Sequence, residues 1–351
     1  MVRNLKRRDF IAATGAAGIV GLAGCTGDGG DGNGDGGDGG DGGNGGGDNQ
    51  LTWHAGSQSG TYYPLSTQFK GIVEENTDYK LQVQSTGASV ENAGSLQSGD
   101  ADFALLQNDV AYFAVNGEGI EEFQGQELDK IRGVATLYPE TIHVITPADS
   151  DVESVSDLQG RTINTGDLGS GTQVDARQIL EAVGVNDYDE QNSDFSQAAE
   201  QIQNGDVDAA FVVGGWPVGA ISDLSNSADI RIVEISGDAR EQVKQTGSYF
   251  SDDEIPAGTY NGVDEAVPTV AVQAMIGTHA DQSEEVVQTV TEAIFENTDQ
   301  INIKQEFITK ESAQDGMSIE LHPGAQAYFE GSGSGGNESD GNESGGNESG
   351  N

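Results

Sequence analysis

Residues 79–97 read YKLQVQSTGASVENAGSLQ. Over 79–85 the side chains alternate, with Leu81 and Val83 on one face and polar residues on the other, which is the period-two signature of a strand. The run Ser85-Thr86-Gly87-Ala88-Ser89 then supplies hydroxyls and a glycine. From 88 to 97 the apolar spacing becomes helical. A strand that passes through a short Ser/Thr/Gly junction into a helix is the repeating unit of an α/β fold.

Working outward, the same unit recurs. A strand over 51–55 leads through the glycine-rich 56–61 into a helix over 62–76, and a strand over 102–107 leads into a helix over 109–116. Residues 131–137 and 141–146 predict two strands joined by Tyr138-Pro139-Glu140. Further strands are expected at 161–164, 208–213, 230–235 and 268–276, and helices at 172–183, 196–204, 218–224, 239–244 and 282–297. Alternation at this spacing predicts α/β architecture with mostly parallel sheets.

The charge is uneven. The chain has 351 residues and a net charge of −44, with 59 acidic against 15 basic side chains. Phosphate backbones are repelled by such a surface, so nucleic acid is excluded as a partner. One cysteine excludes an internal disulfide framework and a Cys-rich metal site. Residues 51–330 carry 48 acids and 11 bases, a net −37. We read this excess as halophilic: molar salt shrinks the Debye length to about 3 Å and quiets the self-repulsion.

Both ends differ from this core. Residues 1–25 hold Arg7-Arg8 before a short apolar stretch and end in Leu22-Ala23-Gly24-Cys25. Paired arginines with a modest apolar region read as a Tat-type export signal, too short to span a bilayer. The last four residues look like a lipobox, which makes Cys25 the lipidated first residue of a mature, membrane-anchored, exported chain. Residues 26–50 contain 14 glycines and six aspartates and read as a disordered tether. Residues 331–351 form a Gly/Asn/Glu/Ser tail with N-x-S triplets at Asn337, Asn342 and Asn347. These read either as N-glycosylation acceptors or as simple repeat expansion.

The strand-to-helix junctions carry the chemistry. They are Ser57-Gln58-Ser59-Gly60-Thr61, the 85–89 run, Gly166-Asp167-Leu168-Gly169-Ser170-Gly171-Thr172 and Gly214-Gly215-Trp216-Pro217. Helix N-termini at such junctions offer unpaired N–H groups and a partial positive charge, hence an anion site. Glycine allows close backbone approach, and hydroxyls cap or bind. Catalytic motifs fail in turn: there is no G-x-x-x-x-G-K-[ST], Gln58 stands where a nucleophile elbow needs serine, and the four histidines form no H-E-x-x-H. The chain is therefore expected to be a binding protein rather than an enzyme, with no cofactor and no metal.

Gly60-Thr61-Tyr62-Tyr63-Pro64, the run from Ser85 to Asn92, DFALLQND at 102–109, VATLYPETIH at 134–143, GDVDAA at 205–210, IPAGTY at 255–260 and Leu321-His322-Pro323-Gly324-Ala325 together resemble the TAXI family. These are the solute-binding proteins of tripartite ATP-independent periplasmic (TRAP) transporters, and the resemblance covers about residues 51–330. It implies a type II periplasmic-binding-protein fold, two α/β lobes with a hinge and central ligand cleft. Lobe I is expected at 51–140 plus 266–330 and lobe II at 141–265, with crossings near Glu140 and over 264–270. It also implies a small carboxylate ligand of the glutamate, glutamine or 2-oxoacid type, passed to a TRAP membrane permease. A sensory or other substrate-binding lipoprotein of the same fold is the alternative.

The expected ligand-binding residues are Gly60, Thr61, Tyr62, Thr86, Gly87, Ala88, Ser89, Asn92, Gln107 and Asp109 from the first lobe. From the second come Gly166, Ser170, Gly171, Thr172, Gly215 and Trp216. Tyr138 and Glu140 belong at the hinge, either as packing or as acceptors of a ligand ammonium group. Arg161 and Arg177 are the basic candidates for a carboxylate, or else surface ion pairs. Ala88 stands where many members of the resembled family carry glycine.

Overall fold

Each of the first three strands hands the chain directly to a helix. β1 (Gln50–His54), α1 (Tyr62–Asn76), β2 (Lys80–Gln84), α2 (Ser89–Ser98), β3 (Phe103–Gln107) and α3 (Asn108–Asn116) follow in order. The computed structural model describes residues 49–333. Cys25, Asn337, Asn342, Asn347 and nearly all of the tether and tail lie outside them. β1 runs parallel to both β2 and β3, so their carboxyl ends open on one edge.

β4 (Ile131–Pro147) is one strand of 17 residues, where the sequence predicts two. Pro139 does not break it because proline, which cannot donate to a ladder, is tolerated at an irregularity. Pro139 pairs with Gln273 beside a register shift between Gln273 and Met275. The second series follows: β5 (Thr162–Asn164), α4 (Gly171–Ala182), β6 (Asp189–Gln191), α5 (Phe195–Asn204), β7 (Ala209–Val213), α6 (Gly219–Ser227), β8 (Ile230–Val233), α7 (Gly237–Lys244) and β9 (Ser251–Ile255). β10 (Val267–His279) returns through the middle, and α8 (Glu284–Phe295) and α9 (Pro323–Gly333) close the described chain.

The strands lie in the order β2-β1-β3-β10-β4-β7-β5-β6, with β8 beside β4 and β9 beside β10. β5 is parallel to β6 and β7. The centre differs from the mostly parallel expectation: β4 and β10 are antiparallel to every strand they touch. The physical reason is that two long strands cross between the halves in opposite directions.

The core divides where these strands cross. Val134, Ala135, Leu137 and Tyr138 of β4 pack with Trp53, Phe69 and Phe103. Ile142 and Val144, further along the same strand, pack with Phe211 and Val233 instead. On β10 the change falls between Val272 and Ala274, opposite Pro139. The sequence places the second crossing at 264–270, but Val270 and Val272 still pack with the far half. Trp53 anchors the first core: it is fully buried, stacks on Phe103 at 5.5 Å and donates Nε1–H to Ser66 Oγ at 2.9 Å. This is the type II periplasmic-binding-protein fold, two α/β lobes on a two-strand hinge. Among the described residues no helix is long and apolar enough to cross a membrane.

Candidate ligand-binding site

The carboxyl ends of β1, β2 and β3 face those of β5, β6 and β7 across the crossing strands, and a cavity of about 60 Å³ lies between them. From the first lobe, Gly60, Thr61 and Tyr62 line it at the start of α1, and Thr86, Gly87, Ala88 and Ser89 at the start of α2. Gln107 enters from the end of β3 and Glu140 from β4. From the second lobe come Ser170, Gly171 and Thr172 at the start of α4, Phe195 at the start of α5, and Val213-Gly214 at the end of β7. Neither α1 nor α2 has a side-chain cap. Their first-turn N–H groups therefore have no side-chain capping oxygen, although Glu91 in the first turn of α2 offsets part of that helix's positive end and accepts from the Gly87 N–H at 2.6 Å.

Local chemistry explains the junctions. Ala88 has φ 69° and ψ −140°, backbone that a side chain disfavours and glycine accepts freely. Thr86 holds the turn: its hydroxyl accepts from the Ala88 N–H at 3.1 Å and lies 2.8 Å from Asn92 Oδ1. Ser170 caps α4 by accepting from the Gln173 N–H at 3.2 Å. Gly171 lets the lobes meet, since a Cβ built there would lie 1.4 Å from Gln107 Oε1.

Glu140 is the chemical centre. It is buried, and its Oε1 accepts from the Tyr138 hydroxyl at 3.2 Å. Burial raises its pKa to about 8, against the pull of neighbouring hydrogen-bond donors. Two more polar atoms point inward without a hydrogen-bond partner, the Tyr62 hydroxyl and Gln107 Oε1. Burial beside Glu140 pushes the Tyr62 and Tyr138 hydroxyls well above the usual tyrosine range. The site thus combines backbone and hydroxyl donors with three carboxyl groups, Glu140, Asp167 and Asp194; desolvation raises the Asp167 carboxyl, with Asp194 adding to the effect.

Several expected residues stand elsewhere. Asn92 is structural, its Nδ2 donating to Ala55 O and Leu105 O at 2.6 and 2.7 Å and tying two strand ends together. Tyr138 reaches the cavity through Glu140, and Gly166 stands behind Ser170 with φ 96°. Asp109 is fully buried behind Gln107. Gly215 and Trp216 line a second, wider groove of about 620 Å³ that shares Gly60 and Thr61 with the cavity.

Arg161 pairs with Asp151 at 2.7 Å. Arg177 makes a two-pronged bond to Glu190 at 3.0 and 2.8 Å. Burial raises the Glu190 pKa, yet the bonds from Arg177, Thr165 and Gln173 bring it down to about 2. Neither arginine lines the cavity. No histidine does either; His143 is buried and neutral, lowered to about 4 by desolvation, with Nδ1 against Thr141 O and Val212 O.

Sequence reasoning missed Lys304. It stands in left-handed backbone at φ 58°, and its ammonium lies 4.2 Å over the Trp216 ring while donating to the Trp216 carbonyl. It thereby fastens the first lobe to the loop after β7. No local pattern marks it, because its partner is 88 residues away.

The profile of the NMT1-like family matches residues 54–333. The chain belongs to the NMT1-like family. The matched span of this NMT1-like chain contains every residue of the cavity. Similar solved structures include the substrate-binding protein of an amino-acid ABC transporter, 13% identical over 74% of this chain and 96% of that one, TM-score 0.43. Another is an ancestral arginine-binding protein bound to arginine, 14% identical over 74% and 96%, TM-score 0.46. A third is a putative L-cystine ABC transporter from Listeria monocytogenes, 15% identical over 75% and 98%, TM-score 0.44.

Proposed function

We propose that this chain is an extracytoplasmic solute-binding receptor. It captures a small carboxylate of the glutamate, glutamine or 2-oxoacid type and delivers it to a TRAP membrane permease. The observation that carries the reading is the meeting of helix N-termini from both lobes, α1 and α2 against α4, on one cavity. Backbone N–H groups and hydroxyls there hold a carboxylate without an arginine. A ligand that touches both lobes favours their closed arrangement, and the permease reads that arrangement. Glu140 supplies the acceptor for a ligand ammonium group, which favours amino acids over 2-oxoacids. The lobe boundaries follow the core: the hinge pair is Pro139 and Gln273.

The remaining parts of the reading rest on sequence. Cys25 is the lipid attachment point after Tat-type export, residues 26–50 are the tether, and the acidic surface suits molar salt. The binding reading is tested by thermal shift in molar NaCl with glutamate, glutamine, aspartate and 2-oxoglutarate. At least one raises the melting temperature; if none does while a sugar or a metal ion does, the carboxylate reading falls. Anchoring is tested separately: Cys25→Ser abolishes the lipid mass and membrane retention, and an unchanged fraction refutes it.

A further inference from the structure

Behind Gln107 two acidic side chains from different lobes face each other. Asp109 lies in the first turn of α3 and Asp175 in α4, and both are fully buried. Gln107 joins them to the cavity, its Nε2 donating to Asp175 Oδ2 at 2.8 Å. Both oxygens of Asp109 and Oδ1 of Asp175 have no hydrogen-bond partner. Two ionised carboxylates offer acceptors only, so they cannot satisfy each other. One proton between them supplies the missing donor and removes the repulsion.

The surroundings offer no other neutralisation. Glu140 of β4 adds a further negative influence on both carboxyls. Gln178 of α4 is neutral: its Oε1 accepts from the Tyr249 hydroxyl at 2.7 Å, and its Nε2, an unpartnered buried donor, is a hydrogen-bonding influence on Asp109 that carries no charge to offset the pair. Burial pushes the Tyr249 hydroxyl well above the usual tyrosine range, with Asp109 and Asp175 adding to the effect. Arg177, next on α4, is turned to Glu190.

We propose that Asp109 and Asp175 form a proton-shared carboxyl bridge between the lobes, so that closing the cleft takes up a proton from solvent and raising the pH opens it. These are positioning residues: they act on the ligand through Gln107 and through closure. Burial lifts Asp109 to about 6 and Asp175 well above the ordinary range. In an open cleft both return to about 3.9. The closed form therefore binds more protons than the open form from about pH 4 upward. Its share falls as pH rises, by up to about tenfold per pH unit for each proton held.

The consequence for affinity rests on the receptor reading, but the lobe motion does not and needs no ligand. It is measured by pulsed EPR between nitroxides on Ser98→Cys in the first lobe and Asn186→Cys in the second, both exposed positions. Cys25→Ser removes the native thiol, and Glu140→Gln removes the other buried carboxyl beside the pair; Asp167 and Asp194, which also line the cavity, stay in every variant as a common background. Ligand-free protein at constant ionic strength is expected to show the short distance at pH 4.5 and a growing long-distance population by pH 8.5. Adding Asp175→Asn, or separately Asp109→Asn, keeps the short distance throughout. A distance that ignores pH before either Asp is changed overturns the proposal. So does a pH response that survives both amide variants. A failed thermal-shift screen would sink the carboxylate reading without touching this result.

Discussion

Replacing Glu140 by glutamine separates an ammonium-bearing ligand from one that has only carboxylates. With its pKa at about 8 in the ligand-free cavity, the Glu140 carboxyl at pH 7 is about nine-tenths protonated. An ammonium group pairs with the ionised form, so capture of glutamate must expel about 0.9 proton from Glu140 at pH 7. Holding the ionised form there costs about 1.4 kcal/mol, one pH unit below the pKa. The Glu140 contribution to affinity therefore strengthens up to tenfold per unit as pH rises toward 8, and then levels off.

The assay is isothermal titration calorimetry in phosphate and in Tris, whose different ionisation enthalpies convert the heat into a proton count. Because the Asp109–Asp175 bridge takes up protons on closure in both proteins, the readout is the difference between wild type and Glu140→Gln. We expect wild type to release about 0.9 proton more than the variant with glutamate at pH 7, and the same number as the variant with 2-oxoglutarate. Glu140→Gln should weaken glutamate by roughly 10- to 100-fold, since hydrogen bonds to charged groups contribute about 1.5–3 kcal/mol, and leave 2-oxoglutarate nearly unchanged. Equal proton counts for the two proteins with glutamate, or equal weakening of both ligands, would refute the assignment of Glu140 to an ammonium group.

Three further outcomes follow from single contacts. Gly171→Ala places a methyl where Gln107 Oε1 sits and must displace the amide from Asp175; a loss of about 1–3 kcal/mol, seen in denaturant unfolding, should accompany weaker ligand binding. Ala88→Gly relieves backbone at φ 69°, and a stability gain of up to about 1 kcal/mol in thermal unfolding is expected after glycine's entropy is counted; a loss would show that the Ala88 methyl contributes packing. Lys304→Met removes the ammonium from the Trp216 ring, an interaction of about 1–2 kcal/mol when desolvated, so stopped-flow release of ligand should quicken roughly 5- to 30-fold.

The cavity was legible in the sequence where local pattern and position coincide. The hydroxyl–glycine runs at 60–62, 86–89 and 170–172 mark ends of strands, and parallel pairing carries those ends to one edge. The pattern misleads by two residues at 214–217: β7 stops at Val213, so Gly214 faces the cavity while Gly215 and Trp216 pass on to the outer groove. Asn92 shows another limit, because a polar residue on a helix reads the same whether it meets ligand or ties Ala55 to Leu105. Asp175 and Lys304 had no local signal at all. Their roles depend on partners across the hinge, and the register of β4 against β10 that sets the hinge is not written in either strand alone.

The excess of negative charge sharpens what the cavity must do. A folded span with 48 acids and 11 bases repels anions at long range, yet the proposed ligand is a carboxylate. No basic side chain lines the cavity to reverse this locally: Arg161 and Arg177 are committed to Asp151, Asp208 and Glu190 at the surface, and Lys304 stands in the outer groove against Trp216. What remains are fixed dipoles at contact distance, the uncapped starts of α1 and α2. Molar salt screens the distant acids within about 3 Å but leaves a desolvated N–H group at hydrogen-bond distance nearly untouched. Salt therefore has opposite effects on the two contributions. Lowering it should slow ligand association through the unscreened field of the whole chain, while dissociation, set by contacts inside the cavity, stays nearly constant. Stopped-flow binding of glutamate between 0.2 and 2 M salt tests this, since the Debye length falls from about 7 Å to about 2 Å over that range, with circular dichroism at each salt to show that the acidic fold is intact. An off-rate that carries most of the salt dependence would mean that exposed charges, not buried dipoles, hold the ligand.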